Sequence, residues 1–503
     1  MSAAFRGTLS LSSAVLYAAL LQLPGGEWVS FFALVPLCLA CATSSPVCAA
    51  FHGALFGLAA TLGVAWWFPG MVQSYFGVTP VSAWAALVAI GATVDALPYA
   101  LFGAWVAFAA RRGRATPIGV GAAWALAELV RVHLPLANPY GLLAYAQHAT
   151  PLAQAADVAG PWGVSLVVAA ANAALAAQLA PAMVSHRPRR ALAHASFALA
   201  LCLGWGAVRL GQSFGDGQPL RVALVQGAVA REVGWDRATS GANLAKYLEL
   251  HARASGGAEL VFWPEYAIDF YLSEETVERA RLLSAVAAGG ADVVLGAARY
   301  DPTPRETRYF NSVYWIDRRG WLHTEHYDKQ ALVPFSEYAP LGDWLRADSA
   351  MYAPGDSPRV LDTTRARVGA FLCAEALYPE IARGLTRGGA ELLANPSNDY
   401  WFGARQPARE QLRSAAFRAI ENRRFLVRPT STGISAVIDA HGRVTARSQG
   451  DGPEIVSAPL ERSSVVTPYQ VIGDAGAALA CFCLAAFALV GRAHDSTLSG
   501  GST

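Results

Sequence analysis

The chain has 503 residues, 39 Lys and Arg against 37 Asp and Glu, and a formal net charge of +2. That near-neutral balance supplies no basic surface on which nucleic acid could be proposed as a partner, and the length predicts two or more folding units. Residues 1–210 hold nine Arg, no Lys and only Glu27, Asp95, Glu128 and Asp157 as acids, so just 13 of the 76 charged residues lie there, which makes the front part a membrane domain and the remainder mostly soluble.

A helix needs about 20 mainly apolar residues to cross a hydrocarbon core. In chain order the candidates are 8–24, 29–43, 47–68, 82–110, 116–134, 159–183 and 191–208, with one more at 472–490. Arg6 is the only charge before the first run and further apolar runs follow closely, so that run reads as an uncleaved anchor rather than a leader peptide. Arg6, the Arg111, Arg112 and Arg114 cluster, the Arg187, Arg189 and Arg190 cluster, and Arg492 fall where one membrane face would collect all of them. Lys and Arg in short loops stay cytoplasmic. Seven spans then place the soluble region on the far side and both termini in the cytoplasm. The expected division is a transmembrane domain of about seven helices over 1–212, a soluble domain over 218–462, a helix over 470–492 and a tail over 493–503. Glu128 and Arg131 are three apart on one predicted span and are expected to pair there.

Six of the seven cysteines fall in or beside predicted spans, where a thiol behaves as a small apolar side chain. Cys373 alone lies in the soluble region, and an exported domain with one cysteine has no disulfide partner within itself. It is either an inert core residue or a reactive thiol.

From residue 220 short β-branched runs alternate with amphipathic stretches. LRVALVQGAV, ELVFWPE, DVVLGAARY, FNSVYWID, RVGAFLCAE, AELLANPS and SAVIDAHGRV read as strands, with helices near 239–254, 273–288, 378–387 and 405–421. Such alternation predicts an α/β architecture. No GxGxxG follows the first strand and no Walker loop, HExxH or CxxC occurs in this soluble region, so neither a nucleotide cofactor nor a metal is expected.

Chemistry in α/β folds collects beyond the carboxyl ends of strands. ELVFW ends in Pro264-Glu265, YDKQALVPFSEYAP carries Lys329 and then Glu337, and FLCAE carries Cys373 and Glu375. Singly, a loop Glu or a lone Lys is ordinarily a solvated surface group. As a set they have a logic: a carboxylate takes the thiol proton, and an ammonium stabilises the thiolate and the oxyanion that follows.

VFWPE, YDKQALVPFSEYAP and FLCAE, in that order, resemble the Glu-Lys-Cys triad of the nitrilase (carbon-nitrogen hydrolase) superfamily. With apolar spans on both sides, VALVQG, Trp235, LVPFSEYAP, NPSNDYWFG and RAIENRR…STGISAVID, the chain resembles the bacterial apolipoprotein N-acyltransferases over nearly its whole length. The resemblance implies a multi-span α-helical membrane domain plus an α/β nitrilase-like αββα sandwich. It implies a bacterial cytoplasmic (inner) membrane location with catalysis at the outer face. It also implies a phospholipid acyl donor and a diacylated apolipoprotein acceptor. Cys373 would be the nucleophile, Glu265 the general base and Lys329 the oxyanion stabiliser, with Glu337, Glu375 and Trp235 in support. Nothing demands more than a monomer. Two departures stand out: relatives read Cys-Tyr-Glu where this chain has Cys373-Ala374-Glu375, and Gln411 stands where relatives carry histidine. The competing expectation is a membrane-tethered amidase using the same triad with water as acceptor. Aromatic loops at 66–76 and 398–403 are expected either at the bilayer interface or in ordinary packing.

Overall fold

The computed structural model describes residues 1–134, 138–229, 237–303, 306–334, 336–338, 352–402, 405–450 and 452–490. Trp235, Arg492 and the tail after 490 lie outside them. Among the described residues, six helices are long and apolar enough to cross a membrane: Ala3–Gln22, Pro46–Val64, Pro80–Ala110, Pro151–Leu179, Pro188–Leu210 and Pro468–Val490. Another apolar helix, Pro117–His133, is buried along most of its length among them.

Residues 29–43 depart from the expected continuous span. They form the short helices Gly26–Val29 and Val35–Ala42, separated by turns. An eight-residue helix rises only about 12 Å, against the ~30 Å of a hydrocarbon core. The segment nevertheless runs the whole height of the first helix. The Leu21 carbonyl at one end accepts from Gln406 (3.1 Å) and Arg413 (2.6 Å) of the α/β half, while Thr43 at the other accepts from Arg6 (2.9 Å). Asn172 makes the break tolerable by accepting from Leu34 N and donating to the Ser30 carbonyl, both at 2.8 Å. Backbone groups freed inside an apolar layer require such partners. Arg114 bonds the Leu489 carbonyl, and Ser185 bonds that of Gly113. The chain therefore brings these arginine-bearing turns and the end of the last helix together, away from the α/β half.

The expected Glu128–Arg131 pair does not form. Arg131 pairs with Asp95 at 3.4 Å, while Glu128 turns to the backbone N–H of Leu143 (2.8 Å) and the Tyr17 hydroxyl (3.1 Å).

The α/β half contains β1 (Leu220–Gln226), β2 (Leu260–Phe262), β3 (Asp292–Pro302), β4 (Thr307–Ile316), β5 (Leu322–Asp328), β6 (Val360–Asp362), β7 (Arg367–Ala370), β8 (Leu392–Ala394), β9 (Leu426–Arg428), β10 (Ala436–Ile438), β11 (Val444–Arg447) and β12 (Glu454–Leu460). They make two six-stranded sheets, ordered β12-β1-β2-β3-β4-β5 and β11-β10-β9-β8-β7-β6. Each sheet repeats one plan, an antiparallel edge, two parallel steps and two antiparallel ones. Parallel steps need crossovers, supplied by Arg237–Ser255, Val277–Gly289, Pro379–Arg387 and Arg405–Asn422. Alternation in β1 sends Leu220, Val222 and Leu224 to a core shared with Val368, Leu392 and Leu426 of the other sheet. Ala223 and Val225 face Leu244, Tyr247 and Leu282 of the covering helices. That is the αββα layering.

SAVIDAHGRV, read as one strand, is two. Asp439 Oδ1 accepts from the N–H groups of His441 (2.8 Å) and Arg443 (2.9 Å), closing a turn with left-handed Gly442 between β10 and β11. The halves are joined by Phe417 and Ile420 entering the membrane-side core, and by fully buried Arg423 on Asp157 at 2.7 Å. Removing one partner of such a pair costs about 3–5 kcal/mol, enough to fix how the halves sit.

Candidate active site

Glu265 is delivered by the end of β2. Pro264 ends regular pairing there, yet its carbonyl accepts from Gly296 N of β3 at 3.1 Å. A Cβ on Gly296 would stand 2.6 Å from the Glu265 Cα, so only glycine permits this approach. Lys329 is the residue after β5, with its N–H on the Asn311 carbonyl at 2.9 Å. Its Nζ reaches Glu337 Oε1 at 2.8 Å and Glu265 Oε1 at 3.4 Å. Asn311, buried in β4, donates to both carboxylates, at 2.8 Å to Glu265 and 3.1 Å to Glu337. Glu337 is held in turn by Val333 N at 2.8 Å.

Cys373 sits just past β7 at φ +48°, opening the 3-10 turn Cys373–Leu377. A non-glycine residue in this region costs on the order of 1–3 kcal/mol and persists only where its surroundings dictate it. Here they do. Cys373 N donates to the Pro396 carbonyl at 2.9 Å, and Asn395 Nδ2 donates to the Cys373 carbonyl at 3.2 Å. The Cys373 N–H is thereby spent on structure, leaving any oxyanion contact to Lys329 and to backbone beyond it. The residue is 7% exposed.

Glu375 does not face the thiol as a base. Its carboxylate accepts from Leu372 N (2.6 Å), Gln330 N (2.7 Å), Ala331 N (3.0 Å) and the Tyr327 hydroxyl (2.9 Å). It therefore ties the cysteine turn to the segment carrying Lys329. Burial pushes its carboxyl up to about 7, against the pull of those backbone donors. Glu375→Ala is expected to lower stability by about 4 kcal/mol, since three backbone N–H groups and a phenol lose their acceptor inside the protein. Thermal unfolding of the purified variant checks this, and an unchanged midpoint would show the tie to be dispensable.

Burial raises the Cys373 thiol well above its ordinary range and the Glu265 charge raises it further; Lys329 and the Asn398 backbone oppose them. The resting group is a thiol, so attack requires a base in contact. Glu265 fits, because it is the nearby charge that acts most strongly on the thiol, while burial, first, and the Glu337 charge raise its own carboxyl despite Lys329. Lys329 is held protonated by Glu337 and Glu265 even though burial disfavours its charge. The set brings together a carboxylate, a fixed cation and a thiol out of water, an arrangement chemically suited to acyl transfer through a thioester.

Sequence reasoning passed over Asn311, whose signal was an adjacent polar pair, Asn311-Ser312, between Phe310 and the apolar run 313–316; both are fully buried. It also passed over Arg428, which grips Asp399 at 2.9 and 3.1 Å beside the cysteine turn. The aromatic stretch at 66–76, expected as a loop, is mostly the helix Phe68–Phe76, and it meets the 3-10 turn Tyr400–Phe402, with Tyr75 edge-on to Trp401 at 4.9 Å and Trp67 to Phe402 at 5.4 Å. Trp67 also packs on Tyr140 at 5.4 Å. The membrane half thus helps to enclose the site.

Comparison with known proteins agrees with this architecture. Residues 221–467 match the carbon-nitrogen hydrolase family model, and residues 13–174 match that of the apolipoprotein N-acyltransferase N-terminal domain. A Geobacter metallireducens protein named apolipoprotein N-acyltransferase is 32% identical, the match covering 87% of this chain and 85% of that one. A Pseudomonas putida protein of the same name is 30% identical over 89% of each. Among solved structures, an amidase from Nesterenkonia sp. aligns with 49% of this chain and 92% of its own at 22% identity, with a TM-score of 0.37.

Proposed function

The chain belongs to the apolipoprotein N-acyltransferase family, and from that premise we propose how its own residues carry out the transfer. It is an acyltransferase of the bacterial inner membrane acting on lipid and lipoprotein substrates. Cys373 Sγ attacks the ester carbonyl of a phospholipid acyl chain while Glu265 takes the thiol proton. Lys329 Nζ stabilises the tetrahedral oxyanion. The carbon–oxygen bond breaks, Glu265 returns the proton to the departing alkoxide, and lysophospholipid leaves an acyl thioester on Cys373. The α-amine of a diacylglyceryl-cysteine at a lipoprotein N-terminus then attacks the thioester. Glu265 accepts the amine proton and hands it to the released sulfur, regenerating the thiol and giving an amide.

The observation that supports this best is the buried contact set of Glu265, Lys329 and a thiol that cannot ionise unaided. A thioester is more readily attacked by an amine than an oxygen ester is, which suits a thiol rather than a hydroxyl. Exclusion of water preserves the intermediate. The arginine-bearing turns, grouped away from the catalytic half, support a cytoplasmic face for both termini and an outer face for catalysis. We take Glu337 and Glu375 as positioning residues, no cofactor as needed, and the monomer as the working unit.

Purified protein given phospholipid is expected to gain the mass of one acyl chain, lost on thioester cleavage and never gained by Cys373→Ala. Intact mass spectrometry decides, and an unmodified parent protein would rule out the covalent route.

A further inference from the structure

The buried polar cluster of the membrane half takes no part in the reaction derived above, yet it converges on one loop. Arg131 donates to the carbonyls of Tyr140 (2.8 Å) and Gly141 (3.4 Å), and Tyr17 donates to that of Gly141 (2.7 Å). Glu128 accepts from Leu143 N (2.8 Å), and Asp95 from the Asn138 amide (2.9 Å). Gly141 is left-handed at φ +71°, and a Cβ there would meet Val64 and Leu21 at 2.9 and 3.1 Å. The loop is therefore fixed through its backbone, and it presents Tyr140 to the catalytic half.

Two routes lead from Tyr140 to the same place. Its hydroxyl takes a long contact from Gln411 Nε2 at 3.5 Å; Gln411 Oε1 accepts from Arg428 at 2.8 Å, and Arg428 grips Asp399. Its ring packs on Trp67, which packs on Phe402, whose N–H bonds the Asp399 carbonyl at 3.2 Å. Asp399 continues directly from Asn395 and Pro396, the residues that clasp Cys373. Gln411 and Arg428 are fully buried.

We propose that Tyr140 is a positioning residue for the nucleophile: pinned by the Asp95, Arg131 and Glu128 cluster, it braces the segment from Asn395 to Phe402 and so fixes where the Asp399 charge stands beside Cys373. The proposal rests on Cys373 being the nucleophile. Among the described residues, the charged groups acting on that thiol include Glu265, Lys329 and Asp399, the last paired with Arg428, with the Tyr140 phenol also in range. A shift of Asp399 therefore changes both the rate at which the thiol reacts and the pH at which it does so.

The test uses full-length protein in phospholipid-containing micelles, with single-turnover acylation of Cys373 followed by intact mass across a pH series. Tyr140→Ala is expected to acylate about tenfold more slowly, a modest share of what misplacement at a reacting centre can cost, with its pH profile displaced from the parent's. Tyr140→Phe keeps the ring against Trp67 and is expected within about threefold of the parent. Gln411→Ala, which loosens the same segment from the catalytic half, is expected to displace the profile in the same direction. Parental rate and profile in Tyr140→Ala overturn the proposal. So does a slow Tyr140→Ala with an unshifted profile and a lowered thermal midpoint, the signature of a merely structural residue. A parent that never acylates overturns the nucleophile reading itself, and a silent parent tells that failure apart from the other two.

Discussion

Glu265→Gln is expected to form acyl-cysteine roughly a thousandfold more slowly than the parent, within the range that a positioned general base contributes. The substitution keeps an oxygen for the Asn311 amide, which stands 2.8 Å from Glu265, so the site stays assembled while its proton acceptor is gone. The loss is large because burial, the strongest influence on the thiol, still favours its protonated form when the Glu265 charge is gone; no standing thiolate waits to take over. The pH dependence follows with a definite sign. Glu265 works only when ionised, and burial together with the Glu337 charge raises its carboxyl. The acidic limb of the parent's acylation rate therefore lies above the ordinary Glu value of about 4.3, with activity lost as pH falls through it. Single-turnover acylation across pH measures both effects. Acylation of the Gln variant within tenfold of the parent would remove Glu265 as the base.

Lys329→Met is expected to damage both stability and chemistry. Among the described residues, Lys329 is the cation that pairs with both Glu265 and Glu337, and it is 2% exposed. Without it the two carboxylates still share the Asn311 amide, which brings no charge. An uncompensated buried charge of this kind costs about 3–5 kcal/mol, part of which the site can relieve by holding a proton on one acid. The oxyanion loses its fixed cation as well, worth about 10²- to 10³-fold in rate. Glu337→Gln separates the two effects, because Lys329 then keeps Glu265 as a counter-charge. It is expected to retain a well-folded protein with reduced acylation. Thermal unfolding and acylation measured on both variants check this; a Met variant with parental stability would mean that Lys329 is not balancing the pair.

Much of the fold was legible because its signals are local. Long apolar runs have few alternatives, and runs such as LRVALVQ alternate faces clearly enough to place a strand. That Glu265, Lys329 and Cys373 come together was legible because each residue follows a strand-like run, and because Cys373 is the lone cysteine of the soluble region. What stayed hidden depends on partners distant in sequence. Asn172 satisfies the broken segment at residues 30–34 from 138 positions away, so the sequence of that segment reads as an intact span. The turn inside SAVIDAHGRV depends on a single aspartate collecting two N–H groups. Arg131 chose Asp95, 36 residues back, over the acid on its own helix. Glu375 was recognised as a supporting residue, but the backbone donors it gathers from Gln330 and Ala331 appear only once the two sheets face each other. Trp235 lies outside the described residues, and its place at the site stays a proposal resting on the family resemblance.

Where the acyl chain goes after Cys373 separates an acyltransferase from a hydrolase. Acylated, lipid-stripped protein is given a diacylated lipopeptide with a free N-terminal amine, and both partners are followed by mass spectrometry. The predicted result is a triacylated lipopeptide with Cys373 returned to a free thiol. Release of the chain as free fatty acid, with the lipopeptide unchanged, would contradict it and leave a hydrolase that takes water as its acceptor.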